Sequence, residues 1–563
     1  MNSRRANGAV IVLVMAACAV AFGLRLGGHG IMDLDEGLYA ACAREMLHTG
    51  DLVTPRVNGT PFYEKPPLVY WAAAASMRLL GESEAAARLP SALAASITCL
   101  LAALMAGRLA GRRAAAIAGA SMALSPIPLA AGRMLTTDAS LCLLVALATL
   151  ALFTGLTAQG SRRTFALAGA GLACGLGVLA KGAPGVVLPG LVVGVYSIVA
   201  VRCGLRRLSW PGLPAALGFV VIVTAVALPW HLAAWRANGD AFVQEYLVRQ
   251  HLGRFRGGDT SHLAPFWFFV PGFLLGFLPW SPYTAAAVVS RMPEALRPRA
   301  SGYALLRIWA VCVFLMFSAS GSKLVTYILP MYPPAAALGA AWCVHALKGR
   351  RIHWGMAAGG LLTALLCWAV WAVLQQPDAA VAVAQRYNSK PIAPITVPVD
   401  LLAAAAHLAL ILGLGGLLTA LLAALARPAA ALAALGASMA AFVGVAVLEA
   451  MPRADALLTA PLHELTALAT RADRRPVILI SRSRRPSALF YASAEAVIEH
   501  RVLEVKDAAG AVTAMAGRDA SVVTRSDVMA RVSTHADMEI VDRRGDWVWA
   551  RATPRRYLAK GGR

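Results

Sequence analysis

Residues 139–158 read ASLCLLVALATLALFTGLTA, twenty in succession without a charged side chain. As a helix rising about 1.5 Å per residue, such a run matches the hydrocarbon core of a bilayer, about 30 Å thick. Its apolar residues form a block rather than a helical or alternating stripe, so no charged face is left for water.

The pattern recurs along the chain. Charged positions and Pro/Gly breaks mark thirteen candidate spans, at roughly 9–27, 85–107, 114–132, 139–158, 164–180, 184–201, 211–235, 264–289, 302–320, 324–346, 354–374, 399–425 and 428–448. Met15-Ala16-Ala17-Cys18 faintly resembles a lipoprotein cleavage box, but the apolar run continues past Cys18 and many spans follow. A retained first helix is therefore expected. The 563 residues are 58% apolar and 14% charged, with mean hydropathy +0.63. Soluble chains carry about 25% charged residues. Composition thus excludes a soluble enzyme, a disordered tail protein and a coiled coil, and leaves a polytopic α-helical membrane protein.

The net charge of +23 would suggest nucleic acid in a soluble protein. Position argues otherwise. Alternate loops hold Arg4-Arg5, Arg108 with Arg112-Arg113, Arg162-Arg163, Arg202 with Arg206-Arg207, Arg291, Arg297, Arg299, Arg307, Lys348, Arg350-Arg351 and Arg427. These are eighteen basic residues against one acid, Glu294. The positive-inside rule places such loops in the cytoplasm, so the surplus is mostly a topology signal and no nucleic-acid partner is expected. The nine cysteines, none beyond Cys367, show no disulfide framework.

Two domains follow: a transmembrane domain over 1–449 with long outside loops at 28–84 and 236–263, and an outside soluble α/β domain over 450–563. Strands are expected at Pro476–Ile480, Ala488–Tyr491 and Trp547–Trp549. In the first loop, Leu38, Tyr39, Cys42 and Met46 share one face of a helix over 36–47, which reads as lying on the membrane surface. Pro66–Leu80 is too short to span comfortably and reads as interfacial or re-entrant.

The chemistry concentrates outside. Fourteen of the fifteen acids before Glu449 fall on that side, and Lys65, Arg133, Lys181, Arg254 and Lys323 recur beside them. Snorkelling explains a single such cation. A site for an anionic headgroup explains the set. Asp33-Leu34-Asp35-Glu36-Gly37 has two readings on its own: acids at the positive end of a helix, or a catalytic carboxylate facing a cavity. His231, inside a span, reads as a packed or helix-bonding histidine. Phe266–Phe269 with Trp280 reads as an interfacial belt.

The order of these motifs resembles the GT-C glycosyltransferases, polytopic enzymes that take a sugar from a polyprenyl phosphate. The resemblance rests on the acidic motif in the first outside loop, then Tyr63-Glu64-Lys65-Pro66-Pro67, Arg133 with Thr137-Asp138, Lys181-Gly182, and Ser322-Lys323-Leu324-Val325-Thr326-Tyr327-Ile328-Leu329-Pro330. Within that class the chain is most similar to the aminoarabinose transferases of Gram-negative bacteria, which modify lipid A. A further match is His251-Leu252-Gly253-Arg254-Phe255 running into Ala264-Pro265-Phe266-Trp267-Phe268.

The resemblance implies an inner-membrane enzyme whose site and C-terminal domain face the periplasm. Its donor would be undecaprenyl phosphate carrying 4-amino-4-deoxy-L-arabinose, its acceptor a lipid A phosphate, and its outcome resistance to polymyxin. Cleaving the C1–phosphate bond builds positive charge on the sugar and negative charge on the leaving phosphate. Lys65, Arg254, Lys323 and Tyr327, with Tyr63, Arg133 and Lys181, are the expected phosphate-binding set. Asp35, Asp138 and Glu36 are the expected catalytic carboxylates. In the family, positions like Glu64 and His251 can hold a zinc ion, the alternative being a simple His–Glu hydrogen bond. No organic cofactor is expected, and the chain is expected to be a monomer among membrane lipids. The alternatives are transfer of another polyprenyl-linked sugar to protein or glycan, as in mannosyltransferases, or a lipid or solute transporter. The latter should show two matching halves with broken helices, and no such repeat is visible.

Overall fold

The computed structural model describes residues 2–205, 208, 210–253, 264–347, 350–376, 378, 382, 398–472, 474–481 and 484–555. It is a multi-pass helical membrane protein. Among the described residues, nine helices are long and apolar enough to cross a bilayer, including Glu84–Ala110, Thr137–Thr157, Gly160–Lys181, Pro184–Arg202 and Val399–Ala424.

Four of the thirteen expected spans take another form, and proline accounts for three of them. Pro126 follows Ser125 where the third expected crossing breaks into Arg112–Leu124 and Pro126–Arg133, bent by 62°. Residues 264–289 divide into Phe269–Gly276 and Ser281–Val289 around Leu278-Pro279. Residues 324–346 divide into a 3-10 turn, Val325–Met331, and a 15-residue helix, Tyr332–Ala346, that starts on Pro333-Pro334. Proline lacks the N–H that an uninterrupted helix needs, but suits a first turn. The first helix, Asn2–Cys18, closes in a π-turn, Ala19–Gly23, and so ends four residues before the expected 27. Conversely, the loop expected to start at 236 is helical much further. The helix Gly212–Phe242 kinks at Gly239 and passes into π-turns over Val243–Gly253.

The chain forms two compact units. The membrane unit comprises residues 1–26, 64–68 and 90–450; the second comprises 27–63, 69–89 and 451–563. The boundary expected at 449/450 thus falls at 450/451. Most of the first outside loop, however, belongs with the C-terminal segment instead of the transmembrane domain.

The reason lies in packing within that second unit. Helix Asp35–Thr49 buries Leu38, Tyr39, Cys42 and Met46 as the spacing predicts. It packs on the helices Pro486–Tyr491 and Ala494–Ile498, and it is buried on most of its faces. A Cβ on Gly37 would stand 2.5 Å from the Ser487 nitrogen, so only glycine permits this approach. Leu68–Leu80 is a helix of 13 residues, and its Tyr70 ring lies 5.7 Å from that of Tyr39. A two-stranded hairpin, β1 (Arg56–Val57) and β2 (Thr60–Pro61), follows the first of these helices.

The C-terminal segment carries β3 (Val477–Ile480), β4 (Val502–Val505), β5 (Ala520–Arg525), β6 (Ala536–Arg544) and β7 (Trp547–Pro554). They form one sheet in the order β4-β3-β5-β7-β6. β3 runs parallel to β4 and β5, while β7 pairs antiparallel with β5 and β6. All four residues of β3 are buried, as a central parallel strand covered on both faces requires. β6 is an edge strand studded with Asp537, Glu539, Asp542, Arg543 and Arg544, charges that discourage further pairing. Residues 488–491, expected as a strand, are helical. Pro486 starts this helix, and the carboxylate of Asp33 accepts the Ser487 N–H at 2.9 Å, satisfying a first-turn donor.

Candidate active site

The membrane unit brings four predicted residues onto neighbouring helix ends and one turn. Asp138 stands in the first turn of Thr137–Thr157, and Lys181 in the last turn of Gly160–Lys181. Helix dipoles favour an acid at the first position and a base at the second. Gly182, at φ 80°, ends the second helix in a conformation that other residues resist. The Lys181 ammonium donates to Asp138 Oδ1, and Thr326 Oγ1 donates to Oδ2 at 2.8 Å. The same ammonium lies 4.4 Å from the centre of the Tyr327 ring, a cation–π distance. Thr326 and Tyr327 belong to the 3-10 turn that Pro330 and the following prolines impose. Asp138 is therefore charge-balanced: it anchors Lys181 and the 325–331 turn. Tyr327 is half-buried, and its hydroxyl has no partner among the described residues.

Lys323 precedes that turn and is 6% exposed. Its Nζ donates to Ala264 O at 2.9 Å and to Ser320 O, leaving one of three ammonium donors for a ligand. Burial lowers its pKa.

Arg133 has a different task from the one its motif suggests. It is fully buried, and its guanidinium donates to the carbonyls of Ala21 (2.8 Å), Leu24 (3.0 Å) and Arg25 (2.9 Å). These carbonyls end the first helix and lack intrahelical partners, so Arg133 is a helix cap. The phosphate-binding reading of Arg133 is corrected on this ground.

In the second unit the acidic motif separates into three roles. Asp33 holds Arg485 at 3.3 Å together with the Ser487 N–H. Glu36 is fully buried in a bidentate pair with Arg88, at 2.7 and 2.9 Å, and also accepts the Met32 N–H. Both its oxygens are committed, which corrects the catalytic reading of Glu36 to a structural ion pair. Asp35 alone is exposed, at the positive end of its helix. The sequence reading missed Arg88; a lone arginine just inside an apolar span is the signal that points to it.

Glu64 and Lys65 belong to the membrane unit and Tyr63 to the other; all three are half-buried. Burial raises the Tyr63 phenol against the pull of Arg56. Arg254 and the side chain of His251 lie outside the described residues, and the expected Glu64–His251 contact with them. Among the described residues no three metal-ligating side chains gather. His231 bonds Ala227 O of its own helix at 2.8 Å and the Tyr246 hydroxyl of the following π-turns at 3.1 Å.

With an acid, a lysine and a tyrosine gathered at its helix ends, this multi-pass membrane protein falls in the GT-C class by its likeness to known members. The sequence family described as dolichyl-phosphate-mannose-protein mannosyltransferase matches residues 64–230. The undecaprenyl phosphate-alpha-4-amino-4-deoxy-L-arabinose arabinosyl transferase of Pseudomonas savastanoi pv. phaseolicola is 32% identical over 383 residues, which are 67% of this chain and 69% of that protein. The chain belongs to this arabinosyl transferase family. The namesake from Pectobacterium carotovorum is 32% identical over 59% of this chain, and the match spans 58% of that relative's length. The crystal structure of ArnT from Cupriavidus metallidurans bound to undecaprenyl phosphate superposes with a TM-score of 0.73 at 25% identity, covering 97% of this chain and 98% of that one.

Proposed function

We propose that this protein transfers 4-amino-4-deoxy-L-arabinose from undecaprenyl phosphate to a phosphate of lipid A, at the periplasmic face of a bacterial inner membrane. The observation that carries the reading is the Asp138–Lys181–Tyr327 cluster beside the buried Lys323, in a chain similar along its length to a protein bound to undecaprenyl phosphate. The cluster suits a departing phosphate. Tyr327 offers a hydroxyl donor, Lys323 one free N–H, and Lys65 and Arg254 further charge. Such donors stabilise negative charge as the C1–oxygen bond breaks.

Asp35, exposed in the first turn of its helix, is the carboxylate we assign to the cationic sugar, because it is the one acid of its motif that no partner holds among the described residues. The acceptor phosphate is already ionised at neutral pH, so the step needs no strong base. The eighteen-to-one charge imbalance of alternate loops supports the orientation. Added amines would reduce the negative charge of the outer leaflet and weaken polymyxin binding.

Purified protein in lipid nanodiscs, given aminoarabinosyl undecaprenyl phosphate and lipid A, is expected to release undecaprenyl phosphate and label lipid A. Transfer from a mannosyl donor to a peptide, with no labelling of lipid A, would overturn the reading.

A further inference from the structure

The second unit contains a cleft of about 360 Å³ that the reaction above does not use. It lies at the carboxyl ends of the parallel pair β3 and β4, where Ser481, Val505 and Lys506 line it. Ligands of open α/β sheets collect at that edge, because the loops diverge there. The β1–β2 hairpin forms another wall through Asn58 and Thr60.

The lining is basic and incompletely satisfied. Lys506 is exposed and has no acidic partner among the described residues. Arg484 is 59% exposed and stands 3.7 Å from Glu504, a loose pairing that a phosphate can replace. Two polar atoms on lining residues are buried without a hydrogen-bond partner among the described residues: the acceptor Asn58 Oδ1 and the donor Arg485 Nε. Buried polar atoms are rarely left so, and each instance calls for an explanation such as a ligand. Burial also raises the Glu504 carboxyl, against the pull of Arg484, which suits it to share a proton with a hydroxyl.

We propose that this cleft binds a phosphate-bearing sugar, the headgroup of the acceptor glycolipid. Lys506 and Arg484 take the phosphate, while Asn58 and Glu504 meet the sugar hydroxyls. The identity of that sugar as the acceptor rests on the function proposed above. The cleft also touches the acidic motif mechanically. Arg485 lines it and pairs with Asp33, two residues before Asp35, so an anion that draws on Arg485 is felt at the motif.

The test is calorimetric titration of the full-length protein in detergent with three probes: the deacylated bisphosphate disaccharide of lipid A, its dephosphorylated form, and inorganic phosphate. The bisphosphate is expected to bind, with the other two roughly tenfold weaker or worse. Replacing Lys506→Gln and Arg484→Gln together is expected to weaken it by about tenfold or more. Undecaprenyl phosphate binding serves as the folding control. Full-strength bisphosphate binding by the double variant would overturn the proposal, and equally tight inorganic phosphate would remove the sugar from it. If wild type binds the disaccharide in a manner sensitive to these substitutions yet never labels lipid A, the cleft stands and the acceptor reading fails.

Discussion

Lys181, at the end of one helix, gives its ammonium to Asp138, at the start of the preceding one, and holds it 4.4 Å from the Tyr327 ring. Both side chains are 13% exposed, so neither charge is well solvated once the other is gone. The pair works as one unit: the acid pins the base, and together they fix the turn that carries Tyr327.

Breaking this pair from one side strands a charge. Lys181→Met is expected to destabilise the protein by about 3–5 kcal/mol, whereas Asp138→Asn with Lys181→Met recovers most of that loss. Transfer activity falls in both. Thermal unfolding in detergent reads the first effect. Additive losses in the double variant would show that the two residues are not coupled.

Neighbouring acids in the first loop are expected to behave in opposite ways. Arg88→Ala leaves the buried Glu36 unpaired and costs about 3–5 kcal/mol of stability. Asp35 is exposed, so Asp35→Asn shifts stability by about 0.5 kcal/mol or less. Its turnover falls by about 100- to 1,000-fold as the field on the cationic sugar is lost. Unfolding and transfer assays on the same preparations separate the two residues.

Acid is expected to loosen the second unit through His463. Its ring bonds the Ser487 hydroxyl at 3.0 Å and stacks on Tyr491, and burial holds its pKa down to about 4 despite the opposing pull of Asp455. The unfolded chain, with a value of about 6.5, binds the proton more readily. Stability is therefore complete above about pH 6.5 and is lost as pH falls towards 4. The loss between pH 7 and 5 is about 2 kcal/mol. Denaturation curves at the two pH values check it, and His463→Gln should flatten the difference.

Much of this was visible in the residues because bilayer thickness imposes run length directly. Thr137–Thr157 and Val399–Ala424 stand close to where their apolar blocks placed them. Run length does not report a bend, so Pro126 and Pro330 had to be weighed as breaks rather than tolerated within spans. Partners distant in sequence were less legible. Glu36 and Arg88 are 52 positions apart, and only the fold makes them a pair. Ala488–Tyr491 is a short apolar run with no decisive period, and its helix depends on Pro486 and on Asp33 more than 450 residues away. The recurrence of Asp138, Lys181, Lys323 and Tyr327 on one side of the membrane was readable, but not which acid would neutralise which base.

The most direct test of the central claim is the mass spectrum of lipid A from a strain that makes the aminoarabinosyl donor but lacks its own transferase. With wild-type protein, lipid A is expected to gain aminoarabinose on phosphate, and with Asp35→Asn at equal membrane levels the gain is expected to be nearly absent. Unmodified lipid A in cells expressing the folded wild type would contradict the account.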